Sequence, residues 1–351
     1  MWWKNRWGAR GLAQTDREKL EMLLSLVNSN SQPNLNALMR VARNVEPMSL
    51  SIKQFGYSLA RQLAAALPPP GPTEARHVGL GSKVSTQADI ESDWVAHWCA
   101  QMGAAVVYHR KVWELCYALQ AVYENGCLRE GARALGFGCG QEVLPSYFAA
   151  HGIAITATDL PAEEAQAAGW AATHQHAAHL DQAFHPHLVT RETFDRLVSL
   201  RFVDMNAIPK DLTGYDFCWS ICALEHLGSI RKGLEFIENS IATLKPGGIA
   251  VHTTELNINA SGQTIDNWPT VLFQRHHFEE LAARLTAQGH MVAPLDFSLG
   301  DRPMDRFVDL PPWEHDLSPD MNAWLGQPAH LKLSVDGFVS TCFGIVVKRA
   351  E

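Results

Sequence analysis

Four residues near the ends of two apolar runs have side chains that could remove a proton from a bound molecule. Glu225 and His226 follow one run, whereas His252 lies within the next run and Glu255 directly after it. Imidazole and carboxylate groups are common general bases, because their surroundings can bring their pKa values near neutrality. If both runs are strands of an open α/β sheet, these residues lie near the carboxyl ends, where such sheets bind ligands. We therefore predict His226, His252 and Glu255 as catalytic residues, with Glu225 behind them.

Each of these residues also has a structural interpretation. Glu225 and His226 could open a helix and contact only the backbone or a cofactor. His252 alternates with Val251 in the predicted strand and could be a hydrogen-bonded core histidine. Glu255 follows the strand and is the least explained by structure. We predict that His226 or His252 is the base.

Three glycines at alternate positions form the segment around which these residues must be arranged. The stretch 133–142 reads Arg-Ala-Leu-Gly-Phe-Gly-Cys-Gly-Gln-Glu and contains Gly136, Gly138 and Gly140. The apolar run before it and the helix-compatible segment after it predict a strand, a tight turn and a helix. Glycine lets the backbone turn sharply and lets a ligand lie directly on it. The start of the helix then offers unpaired N–H groups to that ligand.

The next apolar run, 153–158, predicts a second strand that ends at Asp159. An acid about 20 residues after a glycine turn is placed to bind ribose hydroxyls. The dinucleotide fingerprint G-x-G-x-x-G fails, because Gln141 stands where its third glycine would be. The pattern G-x-G-x-G resembles instead the first motif of the class I S-adenosylmethionine (SAM)-dependent methyltransferases. A dinucleotide oxidoreductase is the weaker alternative.

The resemblance extends over residues 132–348, where further family features follow in order. These features are an acid after the third predicted strand (Asp204), a Leu-Glu-His turn (224–226), a Lys-Pro-Gly-Gly segment (245–248) and a terminal hairpin through Asp336-Gly337. In the family, the acid accepts a hydrogen bond from the adenine amino group and the next backbone N–H meets the ring. The resemblance thus implies cofactor contacts at Gly136, Phe137, Gly138, Gly140, Asp159, Leu160, Asp204, Met205, Ser220 and Glu225.

The expected fold is α/β, with a Rossmann-like, seven-stranded, mostly parallel sheet, helices on both faces and a C-terminal antiparallel hairpin. A proline-rich segment, 68–72, predicts a linker after three N-terminal helices. We therefore divide the chain into an N-terminal helical region with its linker (1–75) and a methyltransferase domain (76–351). The long segment 296–328 is predicted to be a loop that covers the substrate side.

Acceptor contacts are predicted on either side of the glycine turn. Upstream, His109 and Arg110 belong to a polar cluster within an aromatic helical stretch, and helices at this place cover the cofactor in the resembling family. Downstream, Trp170 and His176 follow the cofactor acid closely in sequence. The histidine-rich segment 174–187 does not place its histidines on one helix face, so we predict no metal site.

Composition excludes several classes of function. The net charge of −8, without a long basic run, argues against nucleic acid as the main partner. Seven cysteines without a C-x-x-C pair predict a reduced, cytoplasmic protein. No apolar run reaches the roughly 18 residues needed for a transmembrane helix. The N-terminal helices could mediate self-association or bind a protein partner.

These observations predict a SAM-dependent methyltransferase. The segments 222–228 and 251–255 also resemble bacterial methyltransferases associated with polysaccharide synthesis, which implies O-methylation of a sugar or sugar-containing small molecule. The alternatives are N- or C-methylation of another small molecule, and a non-catalytic SAM-binding subunit that docks a partner.

Overall fold

The computed structural model of the protein describes residues 21, 45–67, 74–161 and 179–351. Its α-helices are α1 (Val45–Ala66), α2 (Gln87–Ile90), α3 (Asp93–Met102), α4 (Arg110–Glu124), α5 (Leu144–Ala150), α6 (Arg191–Leu197), α7 (Ile230–Ile241), α8 (Arg275–Ala287), α9 (Pro303–Arg306) and α10 (Pro319–Leu325). Its strands are β1 (Ser82–Val84), β2 (Arg133–Gly136), β3 (Ala154–Asp159), β4 (Val198–Phe202), β5 (Tyr215–Ile221), β6 (Leu244–Asn257), β7 (Met291–Val292), β8 (Leu295–Asp296), β9 (Val308–Asp309), β10 (Lys332–Val335) and β11 (Phe338–Lys348).

These strands belong to one mixed sheet, in which eight follow the order β4-β3-β2-β5-β6-β11-β1-β8. Off this path, β7 and β10 pair with β11, and β9 pairs with β10. The first five are parallel to one another, and β11 runs antiparallel to β6 over nine residue pairs. β10 and β11 form the predicted C-terminal hairpin. The predicted fold class is confirmed. The predicted number of seven strands is approximate, because several strands of two or three residues extend the sheet at one end.

The central strands are buried, which explains their nearly continuous apolar sequences. Six of the seven residues of β5 are buried, as expected for a parallel strand covered by helices on both faces. The helix before β6 begins after the capping residue Ser229, whose hydroxyl accepts a hydrogen bond from the N–H of Lys232. Parallel strands place their carboxyl ends at one edge of the sheet, so the glycine turn and the residues after β5 are brought together.

At the opposite edge of the sheet, the carboxylate of Asp216 connects the amino ends of neighbouring strands. Asp216, at the start of β5, accepts a hydrogen bond from the backbone N–H of Arg133 (2.8 Å) and forms ion pairs with Arg129 (2.7 Å) and Lys245 (2.8 Å). Burial alone would raise the pKa of Asp216, but these partners outweigh burial and lower the pKa below its ordinary value. The carboxylate thereby ties β2, β5 and the start of β6 together.

The described chain groups into two compact units. The smaller unit comprises residues up to Phe55 with Leu310–Leu325, and the larger one comprises Gly56–Asp309 with Gly326–Glu351. The boundary predicted near residue 75 stays a prediction, because the linker and most of the first 44 residues lie outside the described residues.

The segment predicted as a long loop contains the short helices α9 and α10. Each of them begins at a proline, whose fixed φ suits the first turn of a helix. Its role as a cover stays a prediction. Within the described ranges, no helix is long and apolar enough to cross a bilayer.

Candidate active site

Three strand ends meet at Gly138, in the middle of the glycine turn. Its φ is +59°, and an added Cβ would lie 3.0 Å from Cβ of Ala223 and 3.5 Å from Sδ of Met205. Ala223 follows β5 and Met205 follows β4, so the ends of β2, β4 and β5 converge here. Only glycine combines this backbone conformation with so close an approach. The turn therefore presents bare backbone to the edge of the sheet where ligands bind.

Asp159, at the end of β3, holds the turn in place. Its Oδ2 accepts a hydrogen bond from the N–H of Gly140 (3.1 Å), and its Oδ1 accepts one from the N–H of Leu160 (2.8 Å). These two bonds fix the carboxylate beside the glycine turn. Phe137 is fully buried and packs edge-to-face on Phe236, which anchors the turn from below.

The other residues with an implied cofactor role divide between the site and the core. Oδ1 of Asp204 accepts hydrogen bonds from the N–H (2.8 Å) and the side-chain amide (3.1 Å) of Asn206, which orients the carboxylate after β4. Met205 is buried beside Gly138. Ser220 is fully buried, and its hydroxyl bonds to Nδ1 of His252 at 2.8 Å. The Ser220 side chain is therefore committed to the core.

His252 has the surroundings of a core histidine. Its Nδ1 bonds to Ser220, its Nε2 lies 3.0 Å from Oγ of Ser240, and its ring packs against Phe236. The residue is fully buried, and burial lowers its pKa to about 3. Both ring nitrogens are used by serines, so the geometry favours the structural interpretation of His252 over the catalytic one.

Glu225 and His226 form a pair at the carboxyl end of β5. Oε2 of Glu225 accepts a hydrogen bond from the hydroxyl of Thr254 (3.0 Å), whereas its buried Oε1 has no hydrogen-bond partner within the described residues. That oxygen lies 3.9 Å from Nε2 of His226. Burial, and then the charge of Glu255, raise the pKa of Glu225 to about 7. A carboxyl group with this pKa can both give and take a proton near neutrality.

The tautomer of His226 follows from its neighbours. Nδ1 lies 3.1 Å from the carbonyl oxygen of Pro269, which can only accept, so we assign the proton to Nδ1. The hydroxyl of Thr270 is also 3.1 Å from this nitrogen. Burial lowers the pKa of His226 to about 4. The imidazole is therefore neutral at pH 7 and turns Nε2 towards Glu225.

Glu255 is engaged by Arg110 and Ser340. Its Oε1 forms an ion pair with Arg110, and its Oε2 accepts a hydrogen bond from the Ser340 hydroxyl. Both carboxylate oxygens thus have short contacts with donors. Arg110 and Glu255, predicted as acceptor-binding and catalytic residues respectively, are paired with each other.

A cluster of possible metal ligands surrounds the same arginine. Glu114, Cys222 and Cys342 place one potential ligand atom each within 4.8 Å of one another in the described chain. Nη1 of Arg110 lies 3.8 Å from Sγ of Cys222, 3.6 Å from Sγ of Cys342 and 3.9 Å from Oε1 of Glu114. The guanidinium therefore supplies positive charge in the place where a metal ion would sit.

The remaining predicted contacts are only partly described. His109 caps α4: its Nδ1 accepts a hydrogen bond from the N–H of Lys111 (3.1 Å), and its ring lies 4.5 Å from that of His330. Trp170 and His176 lie outside the described residues. In the histidine-rich segment, His185 and His187 bond to the carbonyl groups of Gln141 and Met102.

One residue of the glycine turn was missed by the sequence interpretation. Glu142 accepts a hydrogen bond from the indole Nε1 of Trp219 at 2.5 Å. The Trp219 ring lies under Gly136, where an added Cβ would collide with it and with Sγ of Cys139. Burial raises the pKa of Glu142 to about 8. Residues 142 and 219 are far apart in the chain, so no local pattern could have indicated this pair.

Comparison with known proteins identifies the fold that carries this site. Residues 109–291 match the family described as a methyltransferase domain. This match covers more than half of the chain. The chain belongs to this family of SAM-dependent methyltransferases. The methyltransferase is thus an enzyme, and its cofactor is SAM, as the glycine turn and the acids after β3 and β4 implied.

Solved structures similar to the methyltransferase are distant in sequence. A proposed sarcosine dimethylglycine methyltransferase from Galdieria sulphuraria is 15% identical, with 74% of this chain and 99% of that chain covered and a TM-score of 0.41. A SAM-dependent methyltransferase from Mesorhizobium loti is 14% identical (65% and 98% covered, TM-score 0.35). Phosphoethanolamine N-methyltransferase 2 from Haemonchus contortus, solved with SAM, is 15% identical (66% and 52% covered, TM-score 0.39). A search of curated proteins found no match.

The residues at the carboxyl edge of the sheet suit this cofactor. Gly138 leaves open the space that a Cβ would fill, and the carboxylate of Asp159 lies beside the turn, where the resemblance implies a ribose contact. The glycine turn and the titratable groups after β5 therefore lie at the same edge of the sheet.

Proposed function

We propose that the methyltransferase transfers the methyl group of SAM to a hydroxyl group of a sugar or sugar-containing small molecule, with Glu225 as the general base. The observation that carries this proposal is the buried Oε1 of Glu225, which has no hydrogen-bond partner within the described residues and belongs to a carboxyl group with a pKa of about 7. An unpaired buried acceptor is costly, so its presence supports a role in binding a donor such as a hydroxyl group.

Methyl transfer to a hydroxyl group breaks the sulfur–methyl bond, forms a methyl–oxygen bond and releases the hydroxyl proton. SAM supplies a methyl group that its sulfonium has already activated. The protein therefore has to align the hydroxyl and to receive its proton. In this proposal, Oε1 of Glu225 takes that proton while Thr254 holds Oε2 in place.

Two carboxyl groups near the site have different surroundings, and this difference supports the choice of base. Glu255 pairs with Arg110 and accepts a hydrogen bond from Ser340, whereas Oε1 of Glu225 is buried without a hydrogen-bond partner among the described residues. Carboxyl groups in such different surroundings can take different roles. We assign the proton transfer to Glu225 and treat Glu255 as a fixed charge that raises the pKa of Glu225.

His226 lies beside the carboxyl group that is proposed to receive the proton. Glu225 is almost fully buried, whereas 21% of the His226 side chain is exposed. Nε2 of His226, which carries no proton in the assigned tautomer, lies 3.9 Å from the carboxyl oxygen, so the neutral imidazole can orient the protonated carboxyl group. His226 is thus proposed as the partner of the base.

The sugar acceptor rests on the resemblance of segments 222–228 and 251–255 to methyltransferases of bacterial polysaccharide synthesis. The bacterial origin and the cytoplasmic location predicted from the sequence belong to the same proposal. Phe137, Leu160 and Met205 are proposed to line the cofactor with the glycines, Asp159 and Asp204.

The experiment is an acceptor screen with matched variants. S-adenosylhomocysteine (SAH) release is measured with free and nucleotide-linked sugars and with small amines, and mass spectrometry locates the added methyl group. Glu225→Gln is expected to lower kcat about 10²- to 10⁴-fold, the range for a general base, with SAM affinity kept. Glu279→Gln, a surface carboxylate on α8 that pairs with Arg275, is the control. Methylation confined to amines, or a Glu225→Gln variant with the wild-type kcat, would overturn the proposal.

A further inference from the structure

The loop 258–272, which connects β6 to α8, carries an exposed tryptophan. The two ends of the loop lie side by side, because the N–H of Asn257 donates a hydrogen bond to the carbonyl oxygen of Phe273 (2.7 Å). Compact surface loops with this shape are frequently functional. Trp268 is 58% exposed, and neither the core nor the proposed proton transfer uses its indole ring. One exposed aromatic ring is not unusual by itself. The position and the attachment of this one point to a ligand.

The loop is tied to α7 immediately before Trp268. Oδ1 of Asp266 accepts hydrogen bonds from the N–H of Asn267 (2.7 Å) and from the N–H of Ile230 (2.8 Å), the first residue of α7. Asn267 has φ +53°, a left-handed conformation that asparagine adopts more readily than most residues. Because the loop is already ordered, a ligand that binds to it does not have to pay for its ordering.

The same loop contacts the pair of residues at the carboxyl end of β5. The N–H of Val271 donates a hydrogen bond to the carbonyl oxygen of Glu225 (2.9 Å). Pro269, which follows Trp268, places its carbonyl oxygen 3.1 Å from Nδ1 of His226. Since consecutive Cα atoms are about 3.8 Å apart, the Cα atom of Trp268 lies within about 10 Å of this nitrogen. One ligand can therefore contact the indole ring and reach the proposed base.

An exposed indole ring is suited to one face of a sugar. Several C–H groups of a pyranose ring point to the same face, and their partial positive charge is attracted to the negative face of an aromatic ring. The hydroxyl groups at the rim of the sugar stay available for water or for polar side chains. Tryptophan also offers a large contact area at a low cost in conformational entropy, because its side chain has two χ angles.

We propose that Trp268 stacks on the sugar ring of the acceptor and is the residue that selects sugars over other hydroxyl compounds. This inference rests on the proposed function, because the stacked ring belongs to the molecule whose hydroxyl group Glu225 deprotonates. The indole ring takes no part in the proton transfer. Its removal should therefore raise KM for the acceptor and leave kcat nearly unchanged.

The test measures acceptor binding without turnover, by calorimetric titration in the presence of SAH. The probes are UDP-glucose, dTDP-glucose and GDP-mannose, each beside its free nucleoside diphosphate, which lacks the sugar ring. Trp268→Leu keeps an apolar side chain without a ring and is expected to weaken binding of the recognised sugar nucleotide about 10- to 30-fold. Trp268→Phe keeps an aromatic face and should stay within about threefold of the wild type. Binding of the free nucleoside diphosphates and of SAM should be the same in all variants.

Met291→Ala is the matched control. Met291 is 66% exposed, and it pairs with Lys348 at the amino ends of the parallel strands, the edge opposite to the site. This variant is expected to keep the wild-type affinity for the sugar nucleotide, and the wild-type kcat in the SAH-release assay.

Three results would overturn the inference: sugar nucleotides that bind the wild-type protein no more tightly than their nucleoside diphosphates, equal sugar affinity in Trp268→Leu and Met291→Ala, or equally weak binding in Trp268→Phe and Trp268→Leu. The proposed function fails separately, through turnover. A protein that binds the sugar through Trp268 but methylates only amines contradicts the proposed function and supports the stacking contact.

Discussion

Replacing Gly138 by alanine tests whether the glycine turn carries the cofactor. At φ +59°, a left-handed conformation, a residue with a Cβ is disfavoured by about 1–2 kcal/mol. The new Cβ would also lie 3.0 Å from Cβ of Ala223, tighter than ordinary van der Waals contact, and relieving it costs about 1 kcal/mol more. The free energy of unfolding should therefore fall by about 2–3 kcal/mol.

Gly126→Ala is the matched control for this substitution. Gly126 has φ +69°, and no atom of the described chain lies within 4 Å of an added Cβ. This variant should lose about 1–2 kcal/mol from backbone strain alone. It leaves the glycine turn untouched, so SAM affinity should not change.

Urea unfolding followed by circular dichroism measures the stability of both variants, and calorimetric titration measures their affinity for SAM and SAH. Gly138→Ala should bind SAM at least about tenfold more weakly than Gly126→Ala, because its Cβ fills space that the cofactor needs. Equal SAM affinity in the two variants would show that the cofactor does not lie on Gly138, and it would refute the placement of the site.

Three further predictions follow from the same geometry. Asp159→Ala removes the acceptor that holds the N–H of Gly140, and we expect calorimetry to show about tenfold to hundredfold weaker SAM binding; unchanged affinity would contradict a ribose contact. In the folded protein the pKa of His252 is about 3, well below the roughly 6.5 of a histidine in the unfolded chain. The unfolded state therefore binds more protons between these two values. The free energy of unfolding falls as the pH drops from about 6.5 towards 3. In urea titrations at pH 7 and 4.5, His252→Gln should lose less stability on acidification than the wild type, and an equal loss would argue against a neutral buried imidazole. Dialysis against a chelator should leave the unfolding midpoint unchanged, because Arg110 supplies the charge among Glu114, Cys222 and Cys342; a bound metal found by elemental analysis, with a lower midpoint after its removal, would contradict this.

The sequence predicted the parts of the site that depend on local backbone. The glycine turn, Asp159 and the turn at Glu225 follow short apolar runs, and the order of these runs places their ends at one edge of a parallel sheet. Such features need only neighbouring residues to be recognised. The fold class and the cofactor were predicted for the same reason.

The contacts between distant segments could not be predicted in this way. His252 is a core residue because Ser220 and Ser240 both reach its ring, and neither serine is marked by any pattern around residue 252. Arg110 was predicted to contact the acceptor, and the fold brings its guanidinium into an ion pair with Glu255 of β6, which no local pattern indicates. The chemistry of a buried polar group depends on partners that only the three-dimensional structure brings near.

The ion pairs of Asp216 lie at the amino ends of the strands, at the opposite edge of the sheet from Glu225, and the two sets of charges differ in their exposure to solvent. The Asp216 partners Arg129 and Lys245 are about half exposed, so dissolved ions screen these attractions, whereas Glu225 lies at the far edge of the sheet and is shielded by protein. Added salt should therefore weaken the ion pairs of Asp216 at a lower concentration than it affects the charge interactions of Glu225. Substitutions around Asp216 can therefore change thermal stability independently of substitutions at the opposite edge of the sheet that change the acceptor.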